Sequence, residues 1–354
     1  MDMDIQLENT VRLLERLIAT PSVSRDEQQA ANVIEAYLEQ QGCHPSRYLN
    51  NVWCIAPGFD GRKPTLLLNA HIDTVKPVDA WTRDPYFPEW EGERLYGLGS
   101  NDDGGGLVAL LHTFLAMKER KRSYNLVFLA SAEEEVSGKN GMEAVLPKLP
   151  EIAFAIVGEP TGLQPAVAEK GLMVLDVTST GKAGHAARNE GVNAIYKAVD
   201  DINWFRTFKF ENVSEMLGPV KMTVTVINAG TQHNVIPDKC VFTVDVRSNE
   251  LYSNREIYDI VCRHVDGRVE ARSFRLNSTR TSLESPVVRK CVSMGLKPFG
   301  SPTLSDQALM PFPSIKLGPG ESCRSHTADE YVCRSEISRA LTLYRDLLEN
   351  LDLE

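Results

Sequence analysis

Five segments of this chain end an apolar run in groups that bind cations or move protons. In LLLNAHIDTV the run stops at His71, with Asp73 two residues on. Strand alternation would turn both side chains to one face, and a metal-binding imidazole usually has a carboxylate to hold or tune it. His-x-Asp alone is a common chance match. In LYGLGSNDDGGG, glycines crowd around Asp102 and Asp103. They let the backbone turn tightly and approach a ligand, and a carboxylate there could bridge two cations. The segment reads poorly as a phosphate loop, because it lacks G-K-[ST] and two aspartates would repel a phosphate. In FLASAEEEVSG a strand ends in Glu133, Glu134 and Glu135. Three adjacent acids repel one another, so nearby cations would explain them. One carboxylate would bind metal while its neighbour handles protons. Glu159 follows the buried run of AIVGEPTG, and His326 sits in the polar segment KLGPGESCRSHTADEY. Each is unremarkable alone. As a set, two imidazoles and several carboxylates without a thiolate suit catalytic rather than structural zinc, and a shared carboxylate is what a two-metal centre requires.

Such ligands must be carried by elements that converge. Leu7, Val11, Leu14 and Ile18 have helical spacing, Pro21 and Ser22 interrupt it, and a second helix follows from a cap at Asp26 to a stop at Gly42. Short apolar runs at 52–56, 65–70, 126–130 and 153–157 read as strands, with a helix from Gly106 to Lys118 between two of them. This alternation predicts an α/β sheet covered by helices on both faces, which binds its ligand at the carboxyl ends of the strands. After about Lys170 the pattern changes. Strand-like stretches at 171–179, 220–229, 239–248 and 268–275 and helical ones at 189–205 and 253–265 give the order β-α-β-β-α-β, the ferredoxin-like unit. We therefore expect a catalytic domain from 1–170 plus 281–354, closed by a helix at 335–351, and an inserted α+β lid or dimerisation domain at 171–280.

The composition is that of an ordinary globular protein: 42% apolar and 24% charged residues, with a net charge of −10. The acidic balance argues against nucleic acid as a partner. No apolar run approaches the roughly 18 residues needed to cross a bilayer, and the acidic start MDMDIQLENT does not read as a signal peptide. A cytoplasmic location is expected, in keeping with seven irregularly spaced cysteines that suit reduced thiols.

With these motifs in this order, the chain resembles, over nearly its whole length, the zinc-dependent aminoacylase/acetylornithine deacetylase metallohydrolases. The resemblance implies a zinc-peptidase-like sheet with the inserted domain, and two Zn2+ ions, with Co2+ or Mn2+ as substitutes. His71 and Glu159 would hold one ion, Glu135 and His326 the other, and Asp102 both. Asp73 would support His71, and Glu134 would be the general base. A shift of one residue would make Glu133 and Glu134 the working pair. In GKAGHAARNEGVNAI, His185 would stabilise the oxyanion from a partner subunit, which implies a homodimer. In GTQHNVIPDKCVFTVDVR, Asn234 and Arg247 would meet the substrate. Arg324, beside His326, would pair with a succinyl carboxylate. The chain departs from the family pattern at Gly104, where a lysine is usual, and at Asn189, where a proline is frequent. His44, His112, His233 and His264 match no ligand position. The reading that follows is removal of an N-acetyl or N-succinyl group from ornithine in arginine biosynthesis. Succinyl-diaminopimelate desuccinylase and dipeptidase are the alternatives within the class. A phosphoesterase would need basic pocket residues, and a non-catalytic binding protein would lack a ligand or the base.

Overall fold

A computed structural model describes residues 3–188 and 190–353. The chain divides into two compact units: Met1–Val167 with Thr281–Phe299 and Ser305–Glu354, and Ala168–Arg280 with Gly300–Leu304.

The first unit is built on a mixed sheet. Asn51–Ile55, Asn125–Ser131, Thr65–His71, Phe154–Val157 and Ser314–Lys316 lie side by side in that order. The last four are mutually parallel, and Asn51–Ile55 runs against its neighbour. Every residue of Thr65–His71 and Asn125–Ser131 is buried, as expected of strands covered on both faces. Leu67, Val127, Leu129, Ala155 and Val157 point to one side, where Met142, Val145 and Met310 close over them. Phe128 points to the other and meets Phe114 of the helix Gly105–Met117, with 6.1 Å between ring centres. That helix starts tight against the sheet. A side chain at Gly106 would put its Cβ 2.0 Å from the Gly158 carbonyl oxygen, so only glycine fits there. The closing helix is Arg334–Leu348. The first two helices are Met3–Ile18 and Gln28–Gln40. The second begins without a side-chain cap: the capping position falls on Glu27, not Asp26, and Gly42 follows its end at φ +71°, as a helix stop should.

The second unit has the strand order Lys221–Ala229, Lys239–Arg247, Met173–Thr180, Arg268–Ala271, antiparallel throughout. Alternate residues of the two central strands are buried. They pack with Ala198 and Phe205 of the helix Ala194–Thr207 and with Ile257 and Val261 of Asn254–His264. This is the ferredoxin-like arrangement. The first of these helices starts later than the sequence suggests, because Asn193 caps it through the Ile195 amide; Asn189 lies outside the described residues. Lys221–Ala229 is an edge strand. No helix among the described residues is long and apolar enough to cross a membrane.

Candidate metal centre

The parallel strands of the first unit all deliver chemistry at their carboxyl ends. His71 ends its strand opposite Ser131, so the turn to Glu133–Glu135 starts beside it. Val157 lies next to Asn69 and Lys316, which sets Glu159 on the other side. The Asp102 loop precedes the helix at Gly105.

Asp102 is the hinge of the site. Its Oδ1 lies 3.1 Å from His71 Nε2, and its Oδ2 lies 3.7 Å from His326 Nε2. One carboxylate thus presents a different oxygen to each imidazole. His71 Nδ1 donates to the Asp73 carbonyl at 2.8 Å. A carbonyl only accepts, so this nitrogen keeps its proton; Nε2 donates to the Asp102 carboxylate when the ring is protonated and is free to bind a metal when the ring is neutral. Glu159 Oε1 stands 3.8 Å and Glu134 Oε2 4.0 Å from the same Nε2. Glu135 Oε2 is 2.8 Å from His326 Nε2.

Asp73 fixes the register of the glutamate run. Its two oxygens accept the amides of Glu134 at 2.9 Å and Glu135 at 3.1 Å, and Ser24 Oγ donates to it at 2.7 Å. Glu133 turns away, and Asn140 Nδ2 donates to its carboxylate at 2.8 Å. The side chains brought to the centre are therefore Glu134 and Glu135.

Three further groups belong here that sequence reading did not single out. Glu330, buried, accepts the amides of Gly99, Asn101 and Asp102 and so holds the Asp102 loop. Its sequence signal is its place four residues after His326 in the same polar segment. Lys316, 2% exposed, places Nζ 4.0 Å from Glu159 Oε2. It supplies a positive charge beside the site where Gly104 brings none. Asp306, also buried, accepts from Ser131 Oγ at 2.6 Å.

The electrostatics are those of a cation site. Burial pushes Glu159 up to about 8 and Glu134 well above the carboxylate range, and it raises Glu135. Burial opposes charge on Asp102, but the hydrogen bond and charge of His71, with Ser325 and His326, together outweigh it and draw the carboxyl down. The hydrogen bond to Glu135 lifts His326 to about 9. The residues fit divalent metal: His71, Glu134 and Glu159 each bring a donor atom within 4.8 Å of the others, as do His71, Asp102 and Glu135. Cations held there would offset the repulsion among these carboxylates.

Glu159 and Glu330 titrate near 8 and His326 near 9 in the fold, against about 4.3 and 6.5 in an unfolded chain. Between pH 7 and 9 the metal-stripped folded protein binds more protons than the unfolded chain, so its stability falls as pH rises. Melting of chelator-treated protein should drop across this window, and added Zn2+ should reverse the drop. A melting temperature independent of pH from 7 to 9 would contradict it.

Of the substrate candidates, His185, Asn234 and Arg247 belong to the second unit and Arg324 to the first. In the second unit, Gly184–His185 pairs with Val235–Ile236, and the Ala186 amide donates to the Asn234 carbonyl at 3.0 Å, so His185 and Asn234 are neighbours. Arg247 is not with them. Lys239, nearer Asn234, and Arg247 are the two ends of one strand, roughly 26 Å apart at about 3.3 Å per residue. Arg247 Nε donates to Asp245 at 2.8 Å. Arg324, expected at a succinyl carboxylate, instead gives both terminal nitrogens to Glu336, at 2.8 and 3.0 Å. A carboxylate of the chain itself already occupies its fork.

Residues 67–350 match peptidase family M20/M25/M40. The chain is 29% identical to acetylornithine deacetylase of Proteus mirabilis (strain HI4320), covering 99% of each chain. It is 24% identical to succinyl-diaminopimelate desuccinylase of Wolbachia pipientis subsp. Culex pipiens (strain wPip), covering 96% of this chain and 92% of that one. Its fold is that of aminopeptidase PepT from Bacillus cereus ATCC 10987 (TM-score 0.78, 18% identity, 98% of each chain). It also matches the Bacillus subtilis YXEP protein, a dinuclear metal-binding peptidase of the M20 family (TM-score 0.73, 15% identity, 99% of this chain and all of that one). The chain belongs to the M20/M25/M40 peptidase family. Within that family it is an amide hydrolase.

Proposed function

We propose that this hydrolase removes an N-acetyl or N-succinyl group from ornithine, in arginine biosynthesis in the cytoplasm, with two Zn2+ ions as its natural metals. The observation that carries the reading is Asp102, whose two oxygens face two imidazoles. His71 and Glu159 would hold one ion, Glu135 and His326 the other, and Asp102 would serve both. When bound, such a pair lowers the pKa of a water and polarises an acyl carbonyl. Glu134 takes a proton from the attacking water and hands it to the departing amine nitrogen. Asp73 keeps Glu134 and Glu135 in place through their amides. The substrate preference draws support from the relative named acetylornithine deacetylase, which aligns from end to end. The desuccinylase relative favours diaminopimelate as the second choice of amine.

The protein works as a homodimer in this reading. His185 and Asn234 cannot reach a small ligand at the far end of their own unit with Arg247, so a second copy supplies one end. The apolar edge strand supports this. Val226 and Ile227 of Lys221–Ala229 are exposed, as are Tyr196 and Val199 of the neighbouring helix, and such a patch marks an interaction surface.

A rate panel on N-acetylornithine, N-succinylornithine, N-succinyl-diaminopimelate and dipeptides tests the assignment, with light scattering on the same zinc-loaded samples. An ornithine derivative should lead in kcat/KM, at a mass near twice 39.4 kDa. Preference for a dipeptide, or a monomeric mass at full activity, would refute the respective part.

A further inference from the structure

His326 is the least protected donor of the site. Its side chain is 55% exposed, its backbone has φ +59°, and its Nε2 lies 2.8 Å from Glu135 and 3.7 Å from Asp102. A side chain so open is held by its loop rather than by packing, and residues with a Cβ adopt this φ rarely. Two clamps flank it. On the near side, Arg324 makes its fork to Glu336, and its guanidinium carbon lies 4.4 Å from the centre of the Tyr331 ring. Glu336 is itself fixed, because it accepts the Cys333 amide at 2.8 Å at the start of the closing helix. Thr327 Oγ1 closes the turn by donating to the Arg324 carbonyl at 2.8 Å. On the far side, the Asp329 carboxylate accepts from Thr82 Oγ1 at 2.6 Å and from the amides of Thr82 and Arg83.

We infer that Arg324 is a positioning residue: paired with Glu336, it fixes the loop that aims His326 and so sets the affinity of one of the two ions. The inference rests on the metal reading proposed above. A bidentate charge-assisted pair is directional, and this one is partly buried, with 18% and 17% of the two side chains exposed. Together with the Asp329 clamp, it orients a ligand whose own side chain is open. Outer partners of this kind typically change metal affinity 10- to 100-fold. A guanidinium spent in this way does not read the acyl group, so its loss acts on metal and not on substrate choice.

The test is a Co2+ titration of the metal-stripped full-length protein, followed by calorimetry and visible absorption. His326→Ala first identifies which binding step depends on the loop. Arg324→Ala and Glu336→Gln should each weaken that step by roughly 10- to 100-fold and leave the other unchanged. The double variant should be no worse than either single one, and Arg324→Lys should restore part of the affinity. Asp329→Asn, on the opposite clamp, should weaken the same step and covers the case in which Arg324→Ala does not fold. Wild-type protein that takes up no second ion would overturn the metal reading. Wild type binding two ions, with unchanged affinities in the folded variants, would overturn this inference alone. So would variants that keep both ions but lose KM only for substrates whose acyl group bears a carboxylate.

Discussion

Asp102→Ala should strip the protein of both ions together and abolish turnover. Every other proposed ligand serves one position, so its loss leaves the second position with its donors. Asp102 alone spans both, with Oδ1 3.1 Å from His71 and Oδ2 3.7 Å from His326. Its removal also leaves Glu134, Glu135 and Glu159 close together without the shared cation pair that offsets their repulsion. Loss of a metal pair forfeits several kcal/mol of transition-state stabilisation, on the order of 1000-fold or more in rate. The checks are elemental analysis after dialysis and kcat on N-acetylornithine. His326→Ala, by contrast, should give up one ion. An Asp102→Ala protein that kept one tight ion would show that this carboxylate belongs to a single position.

Glu134→Gln should cost about 10²- to 10⁴-fold in kcat while metal content stays at the wild-type level. The amide keeps the shape of the side chain and removes its ability to accept a proton. The geometry allows a competing role, because Glu134, His71 and Glu159 together form a set of donors close enough to hold an ion. The variant separates the two. A base lost leaves both ions in place and flattens the acid limb of the pH–rate profile, whereas a ligand lost lowers metal uptake. Asp73 secures the backbone of Glu134 in either case, so misplacement of the loop does not confuse the outcome. A Glu134→Gln enzyme with normal kcat would remove this residue from the chemistry.

The strands and their terminal ligands were legible in the chain because burial on both faces leaves a dense apolar signature. A polar group that ends such a run stands out. His71, the glutamate run and Glu159 were found in this way, and the ferredoxin-like unit from the order of its alternating stretches. Position-by-position roles came from the family resemblance, and the register of the three glutamates stayed open. It took Asn140, holding Glu133, and Asp73, holding the next two amides, to set it.

What the sequence alone determined is the inventory of donors and the elements that end in them. Only the tertiary structure decided which charge meets which. Glu330 grips the Asp102 amide from 228 residues away, and Lys316 reaches Glu159 from a neighbouring strand. Arg324 meets Glu336, and Arg247 stands at the opposite end of its strand from Asn234. The reason is physical: burial follows from local apolar pattern, whereas an ion pair or hydrogen bond forms with whatever partner the folded chain brings within about 3 Å, and that partner leaves no mark in the neighbouring sequence.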